Sequence, residues 1–434
     1  MSASNQSVKS AVSGERPAGL PTALPQDHEA RHRPAARAGS RSVEGRLLAR
    51  LLGYLGNPPL EFILWNGEHI VPPGVASVAR VEVSNRATLL GILADPQVRF
   101  PDAYSEGRLE IEGDLVQLLE AVYHAGRSSP QPSALRRLVE SLHRPHVNTL
   151  AGSRDNIHHH YDIGNDFYSL WLGQTMAYTC AYYPTPTATL DEAQVAKMDH
   201  VCRKLRLRAG ETVVEAGCGW GTLALHMARH YGVKVRAFNI SREQVAYARE
   251  RAVREGLSSQ IEYVQDDYRN VSGTYDAFVS VGMLEHVGLI NYPELGGVVA
   301  RCIGSNGRGF IHSIGRNRPS PLSPWIEKRI FPGAYPPSLA EMMRIFEPYD
   351  FSVLDVENLR LHYAQTLRDW LALFETTTGR VREMFDEKFV RMWRMYLAGS
   401  IAGFTTGALQ LFQVLFAPRD NHAVPMTRAH LYVR

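Results

Sequence analysis

The spacing of apolar positions changes period along the chain and divides it. Around Thr212-Val213-Val214 an apolar, β-branched run leads through Glu215 into a glycine turn, Gly217-Cys218-Gly219-Trp220-Gly221. Such a run predicts a buried strand. Residues 222–231 then follow a helical pattern, with Gly232 as a stop just past the end. Further strand-like runs cover 233–240, 261–264, 275–281 and 309–314. A helix is predicted over 241–256, opening with Ser241 and Gln244 at capping-box spacing. Apolar strands alternating with helices predict an α/β fold, a mostly parallel sheet covered by helices on both faces.

The N-terminal third has a different rhythm. Residues 46–55 are helical in period. Residues 60–71 and 77–83 look like strands, with Gly67 breaking the first and Pro72-Pro73-Gly74 between them. A helix is expected over 85–93, a polar turn over 102–107 and an amphipathic helix over 114–125. These elements predict a small α+β domain over 43–145, ahead of a main domain over 146–434. Residues 128–145, with three prolines and three arginines, read as a linker or bridging helix. Residues 1–42 lack aromatic residues and are rich in Ser, Ala, Pro, Gly and Arg, which predicts a disordered tail. Its end is basic through Arg31, Arg33, Arg37 and Arg41, a cluster that an anionic membrane surface attracts weakly.

The uncharged stretch 397–417 invites a membrane reading. Ser400, Thr405, Thr406, Gln410, Gln413 and three glycines interrupt it. A spanning helix is more apolar than this. The expectation is the end of a buried helix, a turn near 403–407, and a core strand over 409–416.

Composition narrows the class. The chain has 434 residues, 44% of them hydrophobic, as in soluble globular proteins. A net charge of +3 provides no field that would favour nucleic acid. Cys180, Cys202, Cys218 and Cys302 show no paired metal spacing and read as reduced thiols of a cytoplasmic protein. The N-terminus has no apolar segment of the kind that marks a signal peptide. His158-His159-His160 is not read as a metal site, because adjacent residues of a strand or helix do not share a face.

Ligands of parallel sheets bind beyond the carboxyl ends of the strands. Glu215–Gly221, Asn239–Gln244, Asp266–Asp267 and Glu285 fall at those ends. A dinucleotide fold would carry GxGxxG and an acid closing the second strand. Here the turn is GxGxG, the acid precedes it as Glu215, and the second strand ends Asn239-Ile240-Ser241. This arrangement looks like the Rossmann-like fold of S-adenosylmethionine (SAM) methyltransferases. A carboxylate at the turn can help hold a cationic amino-acid ligand, and Asp267 or Asp266 can accept from an adenine amino group.

Several longer motifs lie in the same region. They are 160–166 (HYDIGND), 178–182 (YTCAY), 215–221 (EAGCGWG), 283–288 (MLEHVG), 311–315 (IHSIG), 330–333 (IFPG), 362–367 (HYAQTL) and 409–413 (LQLFQ). In this order they resemble the cyclopropane-fatty-acyl-phospholipid synthase family, with its mycolic-acid relatives. The resemblance implies methylene transfer from SAM to a cis double bond in a lipid acyl chain. It further implies a bicarbonate base held by Cys180, Glu285, His312, Tyr363 and the backbone of Ile314. It places SAM against Tyr178, Thr179, Gly217, Gly219, Asn239, Ile240, Gln244 and Asp267, with Glu215, Gly221 and Asp266 as neighbours in the same turns. It implies no metal, a possible homodimer, and membrane phospholipid as partner, with the protein peripheral to the inner face of the membrane. Methylating an alkene leaves a carbocation, which aromatic faces stabilise; Tyr161, Tyr178, Tyr182 and Tyr183 are candidates. Arg316, Arg318, Lys328 and Arg329 flank the Pro-rich loop after His312 and are expected to meet lipid phosphates.

The sequence departs from the family pattern at four places. Ser400 stands where a late-helix cysteine is common, which argues against a thiol nucleophile there. Thr179 replaces serine, Asn239 replaces threonine, and Glu215 replaces aspartate. Relatives with the same core make methyl-branched products, so a branched or methylene acyl product is the alternative. An inactive SAM- or lipid-binding protein is opposed by the intact set Cys180, Glu285, His312 and Tyr363.

Overall fold

The computed structural model describes residues 41–72, 76–128, 163–423 and 425–432. Residues 1–40 of the expected tail, most of the 128–145 linker, the three histidines and Tyr161 lie outside the described residues; Ser42, expected in the tail, instead caps α1. In chain order the first elements are α1 (Val43–Tyr54), β1 (Leu60–Leu64), β2 (His69–Ile70), β3 (Ala79–Val83), α2 (Arg86–Ala94), α3 (Pro96–Ser105), β4 (Leu109–Gly113) and α4 (Leu115–Ser128). Then come α5 (Asn165–Ser169), α6 (Leu190–Lys204), β5 (Thr212–Ala216), α7 (Thr222–Tyr231), β6 (Lys234–Asn239), α8 (Arg242–Arg254), β7 (Ile261–Gln265) and β8 (Tyr275–Val281). The last group is α9 (Tyr292–Cys302), β9 (Ile303–Gly315), α10 (Pro324–Arg329), α11 (Leu339–Phe346), β10 (Phe351–Asn358), α12 (Arg360–Met384), α13 (Glu387–Thr406) and β11 (Gln410–Pro418).

The larger sheet has seven strands in the order β10-β11-β9-β8-β5-β6-β7. β9, β8, β5, β6 and β7 run parallel, and β11 lies antiparallel between β9 and β10. Side chains of a strand alternate between faces. Val213, Val235, Ala277 and Phe310 accordingly pack with α6, α7 and α8. Val214, Phe238, Phe278 and Ile311 pack on the other face with α9 and α11. Burial of both faces explains the near-continuous apolar runs. The order reverses at β5, which pairs with β6 on one side and β8 on the other. That switch point opens a crevice at the carboxyl end of β5, where the glycine turn stands.

The smaller sheet is mixed, in the order β2-β1-β3-β4. Residues 60–71 form a hairpin, with Gly67 at φ +81° in the turn and Phe62 opposite Ile70. The expected polar turn at 102–107 belongs mostly to α3, which Asp95 caps and Pro96 opens. Asp102 reads as a surface residue but is buried, because its carboxylate accepts from the Trp325 indole at 3.0 Å and from Arg329 at 2.9 and 3.1 Å. Those partners lie more than two hundred residues away, beyond any local pattern. β4 escapes the sequence reading because its alternation, Leu109-Glu110-Ile111-Glu112, is only four residues long before Gly113 and lies on a sheet edge.

The stretch 397–417 follows expectation in outline. α13 runs to Thr406, Gly407 turns in the left-handed region, and β11 enters the core. No helix among the described residues is long and apolar enough to cross a membrane. α13 also packs on α3 and α4, joining the two sheets' layers. Arg391 anchors this contact through the Leu109 carbonyl at 2.9 Å and the Tyr104 ring at 4.3 Å.

Candidate active site

β5 delivers Glu215 and the three glycines, each at positive φ: Gly217 at +84°, Gly219 at +53° and Gly221 at +78°. They serve different ends. A Cβ on Gly217 would meet Met283 at 2.8 Å, and one on Gly221 would collide with Tyr263 and Ala248. A Cβ on Gly219 would meet nothing within 4 Å. Gly219 therefore keeps backbone open to free space, whereas Gly217 and Gly221 secure close packing. The amides of Gly217 and Cys218 both donate to the Phe238 carbonyl, at 2.9 and 3.1 Å, and fix the turn against β6. α7 begins without a side-chain cap, so its first N–H groups face the same space.

The next strand ends form a hydrogen-bonded rim. The Asn239 amide donates to the Gly219 carbonyl at 3.2 Å and to Gln244 Oε1 at 2.8 Å. Ser241 caps α8 by accepting from the Gln244 amide, but the Gln244 side chain turns to Asn239 and leaves the reciprocal half of the capping box unmade. Ile240 is half-buried beside them. At the end of β7, Asp266 accepts from the Asp267 amide and from Asn270, which commits it to the turn. Asp267 is buried, caps the following 3-10 turn and lies 3.4 Å from the Arg269 guanidinium.

A second set gathers between β8 and β9. The Ile314 amide donates to Glu285 Oε1 at 2.6 Å, while buried Oε2 has no partner. Burial pushes the Glu285 carboxyl up to about 7, against hydrogen bonds that lower it. His312 is buried, receives Gln413 Nε2 on Nδ1 at 3.2 Å, and has an unpartnered Nε2. Burial pushes its imidazole well below the usual range, with the Lys197 charge acting the same way, so it is neutral. Cys180, Tyr363 and Ile314 share one apolar cluster. The Cys180 thiol lies 3.1 Å from the Ala181 carbonyl, and burial raises its pKa, which keeps it protonated. The Tyr363 ring packs against Phe404 at 4.6 Å. Ser400 is half-buried on α13, one turn beyond Tyr396.

Lys197 on α6 joins these two sets and is absent from the sequence reading. It is 2% exposed and donates to Thr179 Oγ1 at 2.8 Å. Gln194, one turn earlier, donates to the carbonyls of Ala177 and Thr179 at 3.2 and 2.8 Å. Tyr178, Thr179 and Cys180 are thus held from behind by α6. Glu215 is 2% exposed with Oε2 unpartnered. Burial pushes its carboxyl up to about 8, and the Lys197 charge acts against that rise. Burial likewise brings Lys197 down to about 8, opposed by Cys180 and Glu215.

The aromatic candidates separate. Tyr182 is sandwiched between His200 at 4.4 Å and His362 at 4.8 Å, so neither ring face is available to a cation. The Tyr183 hydroxyl donates to Asp369 at 2.6 Å. Tyr178 remains, its hydroxyl 2.8 Å from that of Tyr396. A shallow groove of about 310 Å³ near Thr212, Lys234, Gln260 and Tyr275 lies at the amino ends of the strands, away from all these groups.

Residues 149–414 match the family described as mycolic acid cyclopropane synthetase. The chain belongs to that family. A Pseudomonas putida protein named probable fatty acid methyltransferase is 35% identical over 386 residues, covering 86% of this chain and 96% of its own. Cyclopropane-fatty-acyl-phospholipid synthase of Escherichia coli strain K12 is 34% identical over 353 residues, covering 81% and 91%. A solved structure of a mycolic acid cyclopropane synthase complexed with SAH and CTAB aligns with a TM-score of 0.58 at 28% identity, covering 61% of this chain and 97% of its own. This cyclopropane synthetase relative is therefore a SAM-dependent methyltransferase in fold and enzyme class, as the motifs led one to expect.

The residues at the turn fit SAM. A buried carboxylate oxygen without a donor, beside a glycine that opens onto free space, suits a ligand carrying an ammonium and a sulfonium. The second set offers a polar niche within apolar walls, since Glu285 Oε2 and His312 Nε2 are both buried and unpartnered. Their chemistry is of the kind a small oxyacid needs, Glu285 able to accept and His312 able to donate.

Proposed function

We propose that the protein transfers a methylene group from SAM to the cis double bond of an unsaturated acyl chain of a membrane phospholipid, forming a cyclopropane. The observation that carries this reading is the pair of unpartnered buried atoms, Glu285 Oε2 and His312 Nε2, at the strand ends. Bound at the turn, SAM supplies an electron-poor methyl carbon. Glu215, the open backbone at Gly219, Asn239, Gln244 and Asp267 would hold it, with Tyr178 and Thr179 closing the side nearest the acyl chain. The Tyr178 ring, packed with Tyr168, Trp171 and Trp370, would offer its π density to the developing cation, and these rings with Tyr363 exclude water that would quench it. Bicarbonate, when bound between Glu285 and His312, supplies the base that ring closure needs. Glu285 accepts a hydrogen bond or a proton there, and His312 donates through Nε2. Ile314 acts through Glu285, since its amide is bonded to that carboxylate.

The Pseudomonas putida relative's name favours a second reading, a methyl-branched acyl product. Mass spectrometry of lipids from an expressing host separates the two. A gain of one CH₂ with loss of the double bond, abolished by Glu285→Gln, supports the cyclopropane. A branched chain supports the second reading. Unchanged lipids with folded, SAM-binding protein would reject both. Reaching the acyl chain of an intact membrane lipid suits a peripheral protein, and the inner face of the membrane is where we place it.

A further inference from the structure

Among the described residues Arg316 has no counter-ion, although its side chain is half-buried. It follows β9 directly; its amide donates to the Pro337 carbonyl at 2.8 Å, and it bridges to Ser338. The extended path therefore continues one residue past Gly315. Extended residues alternate in side and advance about 3.3 Å each. Arg316 thus falls on the side of His312 and Ile314, roughly 13 Å along from His312. Its side chain is half-buried, and Nε is enclosed with no acceptor. Among the described residues the titratable groups that act on it are two neutral phenols, Tyr123 of α4 and Tyr335, and no carboxylate.

Arg308, buried near the other end of β9, has Glu211 at 2.6 Å and the carbonyls of Arg206 and Asp276 at 3.0 and 3.2 Å. Arg329, expected to meet lipid phosphate, is committed to Asp102. Arg318 and Lys328 are exposed and can contribute only diffuse attraction. A half-buried guanidinium without an anion carries a desolvation cost that a bound anion would offset.

The surroundings of Arg316 continue into the active site. The Tyr335 amide donates to the Glu285 carbonyl at 2.8 Å. The Tyr123 hydroxyl approaches Gly403 on α13, the helix that also carries Tyr396 and Ser400. Part of the Tyr123 side chain reaches solvent, while burial raises its phenol, so the hydroxyl lies on the enclosed side.

We propose that Arg316, flanked by Tyr123 and Tyr335, binds a phosphate anion, that of the phosphodiester headgroup of the lipid whose acyl chain reaches Glu285 and His312. This rests on the lipid reading above. A guanidinium matches phosphate oxygens with two parallel hydrogen bonds, and phenols can add a third.

The test compares wild type, Arg316→Met and Arg316→Lys on two substrates with the same cis-unsaturated chains, phosphatidylglycerol and phosphate-free diacylglycerol, each in mixed micelles of the same neutral detergent. The expected result is a fall of about tenfold or more in the phospholipid-to-diacylglycerol ratio of kcat/KM for Arg316→Met. Arg316→Lys should retain part of the ratio and decides the matter if the Met variant does not fold. An unchanged ratio overturns the proposal. A thermal shift with inorganic phosphate, lost in the variants while the ratio stays unchanged, would assign the site to free phosphate and overturn the headgroup. No product from the wild type on either substrate would instead overturn the lipid reading.

Discussion

Lys197 Nζ and Thr179 Oγ1 lie 2.8 Å apart, and this contact places a buried ammonium behind the segment that carries Tyr178 and Cys180. The same lysine influences Glu215 and His312, so one cation serves both halves of the site.

Replacing Lys197 with Met should therefore separate stability from activity. Burial holds the Lys197 pKa at about 8, below its ordinary 10.5. The folded state binds fewer protons than the unfolded state between those values, so stability rises with pH there, and below pH 8 the buried charge is a full cost. Lys197→Met should keep or raise Tm at pH 7 while lowering kcat at least about tenfold. Unchanged turnover would show that Lys197 only packs.

Glu215 predicts proton release on cofactor binding. Its carboxyl is raised to about 8, so it is mostly protonated at pH 7 in the free protein. A cationic ligand favours the carboxylate. Calorimetric titration of SAM at pH 7 in buffers of different ionisation enthalpy should show release of up to about one proton, absent in Glu215→Gln. Identical heats in all buffers would contradict it.

Glu285 sets an opposite pH trend in stability. Its folded pKa of about 7 exceeds the ordinary 4.5. The folded state then holds more protons between those values, so its contribution is present at low pH and fades as pH rises through 7. Glu285→Gln should flatten that part of the Tm-versus-pH curve. Product formation should fall by about a hundredfold or more, with SAM affinity retained.

The glycines should respond differently to alanine. Gly219→Ala should fold with a small loss of stability and weaken SAM binding, because its Cβ would enter open space in the cradle. Gly221→Ala should lose about 2 kcal/mol or more, through positive φ and collision with Tyr263. Urea unfolding and SAM titration of both variants check the contrast. Equal effects on both properties would refute the division.

Asp102 should link the layers measurably. Burial tends to raise its carboxyl, but hydrogen bonds from Arg329 and Trp325 outweigh this and hold it below the ordinary value. Its contribution is present above the unfolded pKa and lost as pH falls through the folded one. Arg329 is 37% exposed, which screens the pair, so Asp102→Ala should cost about 1–2 kcal/mol in urea at pH 7. Wild-type and variant midpoints should converge at low pH.

The β5–α7 unit was legible because strand, turn, helix and stop are all local; α7 spans Thr222–Tyr231 with Gly232 in the left-handed region. The strand ends were legible through period alone. Lys197 was not. On α6, Gln194, Lys197, His200 and Lys204 recur at three- and four-residue steps, which reads as a solvated stripe. They are buried because partners arrive from elsewhere. Glu357 on β10 receives His200 at 2.6 Å and Lys204 at 2.8 Å. A polar stripe interleaved with Ala193, Met198 and Val201 was the available signal. The roles of Tyr182 and Asp102 were likewise hidden, since the histidines and the arginine that engage them come from distant segments.

The reversal of β11 beside β9 has a consequence for where one proton resides. It sets Gln413 opposite His312 in the ladder. The amide nitrogen of Gln413 can only donate, so Nδ1 of the neutral ring must accept, and the hydrogen sits on Nε2. The strand pairing thereby selects one tautomer before any ligand arrives, and turns the unpartnered nitrogen into a donor. Gln413→Glu would accept from Nδ1–H, move the hydrogen across the ring and present a lone pair to an incoming anion, a change of polarity without a change of shape.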